Sequence, residues 1–364
     1  MKRALFLLLL PLLAACPTDD PEPPVELPDT LSWNPQELGP FNVGYTVWDI
    51  TYTQVTDGEL RTIPVHLWYP TEDATGLPAV YEGIFTDEAS FVDAEPAEPV
   101  HAAGYPVLAY SHGNQGWAGN SDYLMRHFAS HGWVIVAPDH IGNTLTTHSE
   151  PRPMGLWIDR SHDVSAAIDA IEGDLAALAG PADTSTIVIS GHSFGGHTTW
   201  ISAGAEFDEA AVEAQCDSGD HLEGSCTSQV LDAFADGGED PRLVGAIPLA
   251  GTPSVGWVGD DGLNAVELPV MQISGSLDYG HVDGAFEWRS DDVDISWVEI
   301  EGGCHASFAL GTPCDLPAED AFHMIVSYAF PFARSLVLGD DTAITTGILD
   351  GSTVVDDRVT YSLR

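Results

Sequence analysis

The sequence predicts an α/β protein: a mostly parallel central sheet with an N-terminal antiparallel hairpin and helices on both faces. Three observations carry this expectation. Residues 44–56 (GYTVWDITYTQVT) alternate as a strand, Asp57-Gly58 is a hairpin-turn dipeptide, and 60–69 (LRTIPVHLWY) reads as the partner strand. Short apolar runs then recur at 106–110, 133–137, 186–190, 243–249, 269–274 and 295–300, as expected of strands covered on both faces. Helical stretches fall among them near 120–131, 157–179 and 318–335. In the second, Ile158, Val164, Ala167, Ile168 and Ile171 mark one buried face. There is no internal repeat.

The 364 residues are 44% hydrophobic, enough for a sizeable core. Eleven Lys+Arg against 56 Asp+Glu give a formal charge of −45, which repels phosphate backbones and excludes a nucleic-acid partner. Ten Trp, ten Tyr and thirteen Phe exclude disorder along the whole chain. The longest apolar run is at the N-terminus and is too short to cross a bilayer. There, MKRALFLLLLPLLAAC places Lys2 and Arg3 before an apolar stretch from Ala4 to Leu13, the pattern of an export signal spanning residues 1–15. Leu13-Ala14-Ala15-Cys16 resembles the bacterial lipobox, which implies Cys16 as the lipid anchor, attached to a membrane by that anchor only. The expected place is the cell envelope, at the outer membrane or cell surface, or released from it.

Residues 16–40, with seven prolines among acids, are expected to form a disordered tether. A catalytic domain is expected over 41–338, with an acidic cap-like insertion at 205–241 and a C-terminal extension at 339–364. The chain beyond the signal carries nine arginines, no lysine and 56 carboxylates, −47. This charge fits either adaptation to high salt or a GC-rich genome that favours arginine. Of the four remaining cysteines, Cys216 and Cys226 form one local couple and Cys304 and Cys314 another, the pairing that closes the smallest loops. No Cys-x-x-Cys supports a zinc site, and no metal is expected.

The chemistry centres on Gly191-His192-Ser193-Phe194-Gly195-Gly196, directly after the 186–190 strand and before a helix. G-x-S-x-G in a strand–turn–helix setting is a nucleophile elbow, with Ser193 raised at a helix N-terminus. Its partners should follow in the order acid, then base. His305, in the loop Gly302-Gly303-Cys304-His305-Ala306, is the expected base, with His281 as rival. His197 and His221 sit one turn down the elbow helix and in the insertion; His323 lies within the last helix. Asp278, ending Ser274-Gly275-Ser276-Leu277-Asp278, is the expected acid, with Asp283 as alternative. The Phe194 amide and that of Asn114, in Ser111-His112-Gly113-Asn114, would form the oxyanion hole. His112 would brace that loop, and Trp117 would line the acyl site or cap the core.

The pieces RTIPVHLWYP, YSHGNQG, HGWVIVAPDH, GHSFGG, SGSLD and GGCHASF resemble the α/β-hydrolase branch of platelet-activating-factor acetylhydrolases and dienelactone-hydrolase-like esterases. Bacterial polyester hydrolases are near relatives. The resemblance spans about residues 44–335. It implies a serine-dependent carboxylic ester hydrolase without a cofactor. A monomer is expected, and short-acyl esters, phospholipid-type acetyl esters, polyesters and lactones all stay open as substrates. Dienelactone hydrolases use a cysteine nucleophile, and Ser193 departs from that pattern. The reading from a different class is a catalytically silent, surface-binding lipoprotein that keeps the fold. The insertion 205–241 holds eleven acids and no lysine or arginine. It would act as a cap that gates or shapes the acyl pocket, a solvated acidic insertion stapled by a disulfide, or a calcium site.

Overall fold

A computed structural model of the chain describes residues 27–172, 177–278, 292–309 and 314–364. The hairpin joins β1 (Asn42–Thr53) to β2 (Leu60–Thr71), in register from Asn42 opposite Thr71 to Thr53 opposite Leu60. After β3 (Pro78–Tyr81) and β4 (Phe85–Val92) come the central strands β5 (Tyr105–Ser111), β6 (Val134–Pro138), β7 (Ala182–His192), β8 (Leu243–Leu249), β9 (Val270–Gly275) and β10 (Ile295–Ile300). With β11 (Val359–Leu363), the order across the sheet is β11-β10-β9-β8-β7-β5-β6-β2-β1-β4-β3. Strands β5 to β10 pair in parallel, whereas β2 on β6 and β11 on β10 are antiparallel. The sheet is therefore mixed, with its parallel part at the centre as expected.

Successive side chains of a strand point to opposite faces, so each apolar run supplies two cores. Leu108, Tyr110, Ile135 and Val188 face one layer, packed with Met125 and Phe128 of α1 (Asp122–Ser130) and Phe330 of the late helix Ala318–Leu338. Val107, Ala109, Val134, Val136, Ile187 and Ile189 face the other. They pack with Ile158, Val164 and Ile168 of α2 (Leu156–Ile171) and Trp200 of α3 (Phe194–Ser202).

Helix α2 is shorter than the 157–179 its periodicity suggests. The chain turns extended at Glu172, with ψ 129°. A carboxylate at the negative end of the helix dipole, followed by Gly173, favours stopping there. The insertion 205–241 contains α4 (Glu209–Ser218) and α5 (Ser228–Asp236), and a disulfide joins Cys216 to Cys226. The short α6 (Val255–Val258) follows β8, and α7 (Ala318–Leu338) and α8 (Ala343–Leu349) precede β11. The C-terminal extension thus completes the sheet edge beside β10.

The tether expected over 16–40 needs correction in its second half. Residues 27–40 are seated on the body. Trp33 packs against Phe41 and His131, and its carbonyl accepts from Arg334 at 3.0 Å. His127 Nε2 donates to the Pro35 carbonyl at 3.0 Å, and His131 Nε2 to that of Glu37 at 2.8 Å. Prolines need no partner for an N–H and one tryptophan supplies an apolar anchor, so a proline-rich segment can lie ordered without regular structure. The export signal, Cys16 and residues up to 26 lie outside the described residues.

Candidate active site

Ser193 stands between β7 and α3 at φ 58°, ψ −115°, a backbone strained for a residue with a side chain. Two glycines make room for that turn. A Cβ on Gly195 would stand 1.8 Å from the Ser111 carbonyl oxygen, and one on Gly191 would stand 2.4 Å from that of Gly195. The elbow presses against the end of β5 so closely that only glycine fits.

His305 Nε2 lies 2.7 Å from Ser193 Oγ, and its Nδ1 lies 3.0 and 3.1 Å from the two Asp278 oxygens. A carboxylate only accepts, so Nδ1 carries the proton and Nε2 is left to accept from the serine hydroxyl. The Asp278 side chain is 2% exposed and that of His305 36%, so the carboxylate is sealed and the imidazole is open to solvent. His281 and Asp283, the alternatives weighed above, lie outside the described residues.

The loops that carry Asp278 and His305 are tied to each other. Leu277 N–H donates to the Gly303 carbonyl at 2.9 Å, and Gly302 N–H to Ser276 Oγ at 3.0 Å. His192, beside the nucleophile, donates from Nε2 to the His305 carbonyl at 2.9 Å. The Phe308 carbonyl accepts from Ser121 Oγ and Tyr123 Oη, pinning the base loop to α1. A disulfide joins Cys304, immediately before His305, to Cys314.

The loop after β5 passes over the nucleophile: a Cβ on Gly113 would come 3.3 Å from that of Ser193. His112 braces it. His140 N–H donates to His112 Nε2 at 3.0 Å, so Nδ1 holds the proton and donates to the Gly113 carbonyl at 2.7 Å. Burial keeps His112 neutral, well below its ordinary pKa. Beneath, His140 bridges Ser111 Oγ and Asp163, each at 2.9 Å. Burial resists ionisation of Asp163, yet bidentate Arg61 and His140 hold its pKa well below the carboxylate range. Asp139 accepts from Ala118 N–H at 2.8 Å and meets His66 at 3.1 Å. Against its burial, these contacts bring it down to about 2.

Arg160 is fully buried under this loop. It donates to Thr198 Oγ1, Asn143 Oδ1, Ser111 Oγ and the His112 carbonyl, none of them a carboxylate. Asn143 in turn donates to Asn114 Oδ1 at 2.7 Å. Burial lowers the Arg160 pKa to about 9.

A cleft of about 340 Å³ opens over Ser193, bordered by Asn114 and Phe194 and walled by Trp157, Trp257 and His197. Trp157 and Trp257 stack at 4.2 Å. Trp117 does not line it. It is buried in the core and stacks on Phe85 at 4.2 Å, because a large ring beside a matching aromatic gains more from mutual burial than from solvent. The insertion braces the cleft from outside: His221 meets the Trp257 ring at 5.6 Å, and Leu222 N–H donates to the Arg152 carbonyl at 2.9 Å. Arg152, Trp157 and Trp257 carry no motif; only their common wall brings them together. His323 lies within α7, as its sequence position suggests.

The family model for Chlorophyllase matches residues 94–212, a stretch that includes Asn114 and Ser193 and ends before Asp278 and His305. Among solved structures, a ferulic acid esterase from Streptomyces cinnamoneus superposes with a TM-score of 0.60 at 17% identity, covering 88% of this chain and 96% of that one. No curated protein sequence matches the chain. The protein has the α/β-hydrolase fold. At that identity the likeness carries the fold alone.

Proposed function

We propose that the protein is a serine-dependent carboxylic ester hydrolase working through an acyl-enzyme. One observation carries this reading: the unbroken hydrogen-bonded line from Asp278 through His305 to Ser193. Ser193 Oγ attacks the ester carbonyl carbon as His305 Nε2 takes its proton, and Asp278 stabilises the imidazolium. The Phe194 N–H, at a helix start where such groups lack intrahelical partners, and the Asn114 N–H receive the oxyanion. His305 then protonates the departing alcohol, and water repeats the sequence on the acyl-enzyme. The Chlorophyllase-model match and the esterase neighbour support the same class.

Short-acyl, phospholipid-type acetyl and polyester substrates all suit a cleft that opens to solvent. An aromatic acyl group, such as the structural neighbour's name specifies, would lie against Trp157 and Trp257. We also propose that Cys16 anchors the protein in the envelope of a bacterium; Cys16→Ser moving it to the soluble fraction would support that.

The test is fluorophosphonate labelling mapped to Ser193, followed by turnover across a chain-length series of 4-nitrophenyl esters. Ser193→Ala should lose both while keeping its circular dichroism spectrum. An intact protein that neither labels nor turns over any ester would be the silent binding protein instead.

A further inference from the structure

We propose that Arg152 reads a carboxylate on the substrate, so that the preferred ester bears a negative charge beyond its scissile bond. This rests on Ser193 being the nucleophile and names the substrate class of the same site.

The chain has few cations, and most of the described ones are paired with carboxylates. Arg61, Arg126, Arg242, Arg334 and Arg358 each meet a carboxylate at 2.6–2.9 Å. Arg152 is different. Its nearest carboxylate, the half-exposed Glu150, is 3.6 Å away, and it donates to Asn114 Oδ1 at a long 3.3 Å. Its guanidinium carbon instead lies 5.3 Å from the Trp157 ring centroid and 5.5 Å from that of Phe194. Those rings attract the cation without accepting a conventional hydrogen bond, so N–H donors of the guanidinium stay available to other partners.

Its location is equally selective. Acids outnumber bases 56 to 11 in the chain, yet among the described residues the cleft over Ser193 is lined by Arg152 and by no Asp or Glu. Arg160, also without a carboxylate in hydrogen-bond contact, lies behind the same Phe194 ring at 4.4 Å. Among the described residues, the lining of the cleft thus carries one positive charge in a negative protein, with Asp278 set behind His305 and Glu150 at its rim. At physiological salt the repulsion from distant surface acids is screened over roughly 8 Å, so the charges bordering the cleft dominate inside it. A planar carboxylate fits the guanidinium fork through charge-assisted hydrogen bonds.

The test compares two substrates that differ by one charge: the 4-nitrophenyl ester of glutaric acid with its second carboxyl free, and the same ester with that carboxyl methylated. In 0.15 M NaCl the wild type should favour the anionic ester about tenfold in kcat/KM, chiefly through KM. In Arg152→Gln that ratio should fall to about one, and Arg152→Lys should recover part of it. A role in holding the cleft together would slow both esters equally and leave the ratio unmoved, which would overturn the proposal. So would a wild type that favours the neutral ester, a result that needs no variant to fold. Turnover of neither ester, with Ser193 unlabelled by fluorophosphonate, would instead overturn the hydrolase reading.

Discussion

The guanidinium of Arg160 lies 4.4 Å from the ring centroid of Phe194, the residue whose amide follows the nucleophile. The same guanidinium reaches the other half of the proposed oxyanion hole, through the His112 carbonyl and through Asn143 to Asn114. One buried cation therefore links both expected donors. Arg160→Lys keeps the charge but cannot make four directed hydrogen bonds at once. The variant should lose on the order of 10–100-fold in kcat with little change in KM, the pattern of an interaction made mainly in the transition state. Steady-state kinetics with a neutral ester checks this; a lowered melting temperature with unchanged kcat would leave Arg160 a purely structural role.

Asp278 holds the His305 tautomer from a position 2% exposed. Asp278→Asn keeps the shape but can present an N–H where an acceptor is needed, so turnover should fall by roughly 10³–10⁴-fold. His305→Ala should be at least as severe. Slower fluorophosphonate labelling of Ser193 in both variants, at unchanged far-ultraviolet dichroism, is the expected readout.

Cys304 and Cys314 are bonded ten residues apart with His305 between them. In the chain-entropy account such a ring contributes on the order of 2–3 kcal/mol by limiting the opened ensemble. The Cys304→Ser/Cys314→Ser variant should therefore inactivate at a lower temperature than it loses secondary structure. Inactivation and unfolding curves that both overlay the wild type would show that the loop is held without the bond.

Acid should destabilise the fold through its buried histidines. Burial lowers the pKa of His101, His131 and His140 to about 4, and of His127 and His197 to about 3. Each folded value lies below the unfolded 6.5, so the unfolded chain takes up protons first as pH falls. Stability contributed by the neutral rings is present above pH 6.5 and is lost on acidification toward pH 4. Urea midpoints measured at pH 7.5, 6 and 5 should fall in that order.

The central strands and the nucleophile turn were legible because each has a local signature: a continuous apolar run, or a glycine pattern demanded by a crowded turn. Asp278 and His305 were reachable because the chain order of the parallel strands dictates which loops share an edge. Strands β3 and β4 carry no such signature. The first is four residues long, and the second buries two polar residues, Asp87 and Ser90, with Asp87 paired to Arg126, so neither shows an apolar pattern. The cleft wall was hidden for another reason. Arg152, Trp157 and Trp257 come from a loop, a helix start and a short helix about a hundred residues apart at the extremes, and only packing makes them neighbours. Of the two places open to Trp117, the acyl site and the core, it takes the core, a choice its sequence position leaves undecided.

The seating of residues 27–40 on α1 and α7 sets a reach. Eleven peptide steps lead from Cys16 to Leu27, and a fully extended chain covers at most about 3.6 Å per step, so the leash is no longer than about 40 Å. With Cys16 in a lipid leaflet, the catalytic body would be stationed within roughly its own diameter of the surface, leaving from a fixed patch on its side. Substrate would then have to arrive at the envelope, and a bulky or solid ester would be attacked only where cell and material touch.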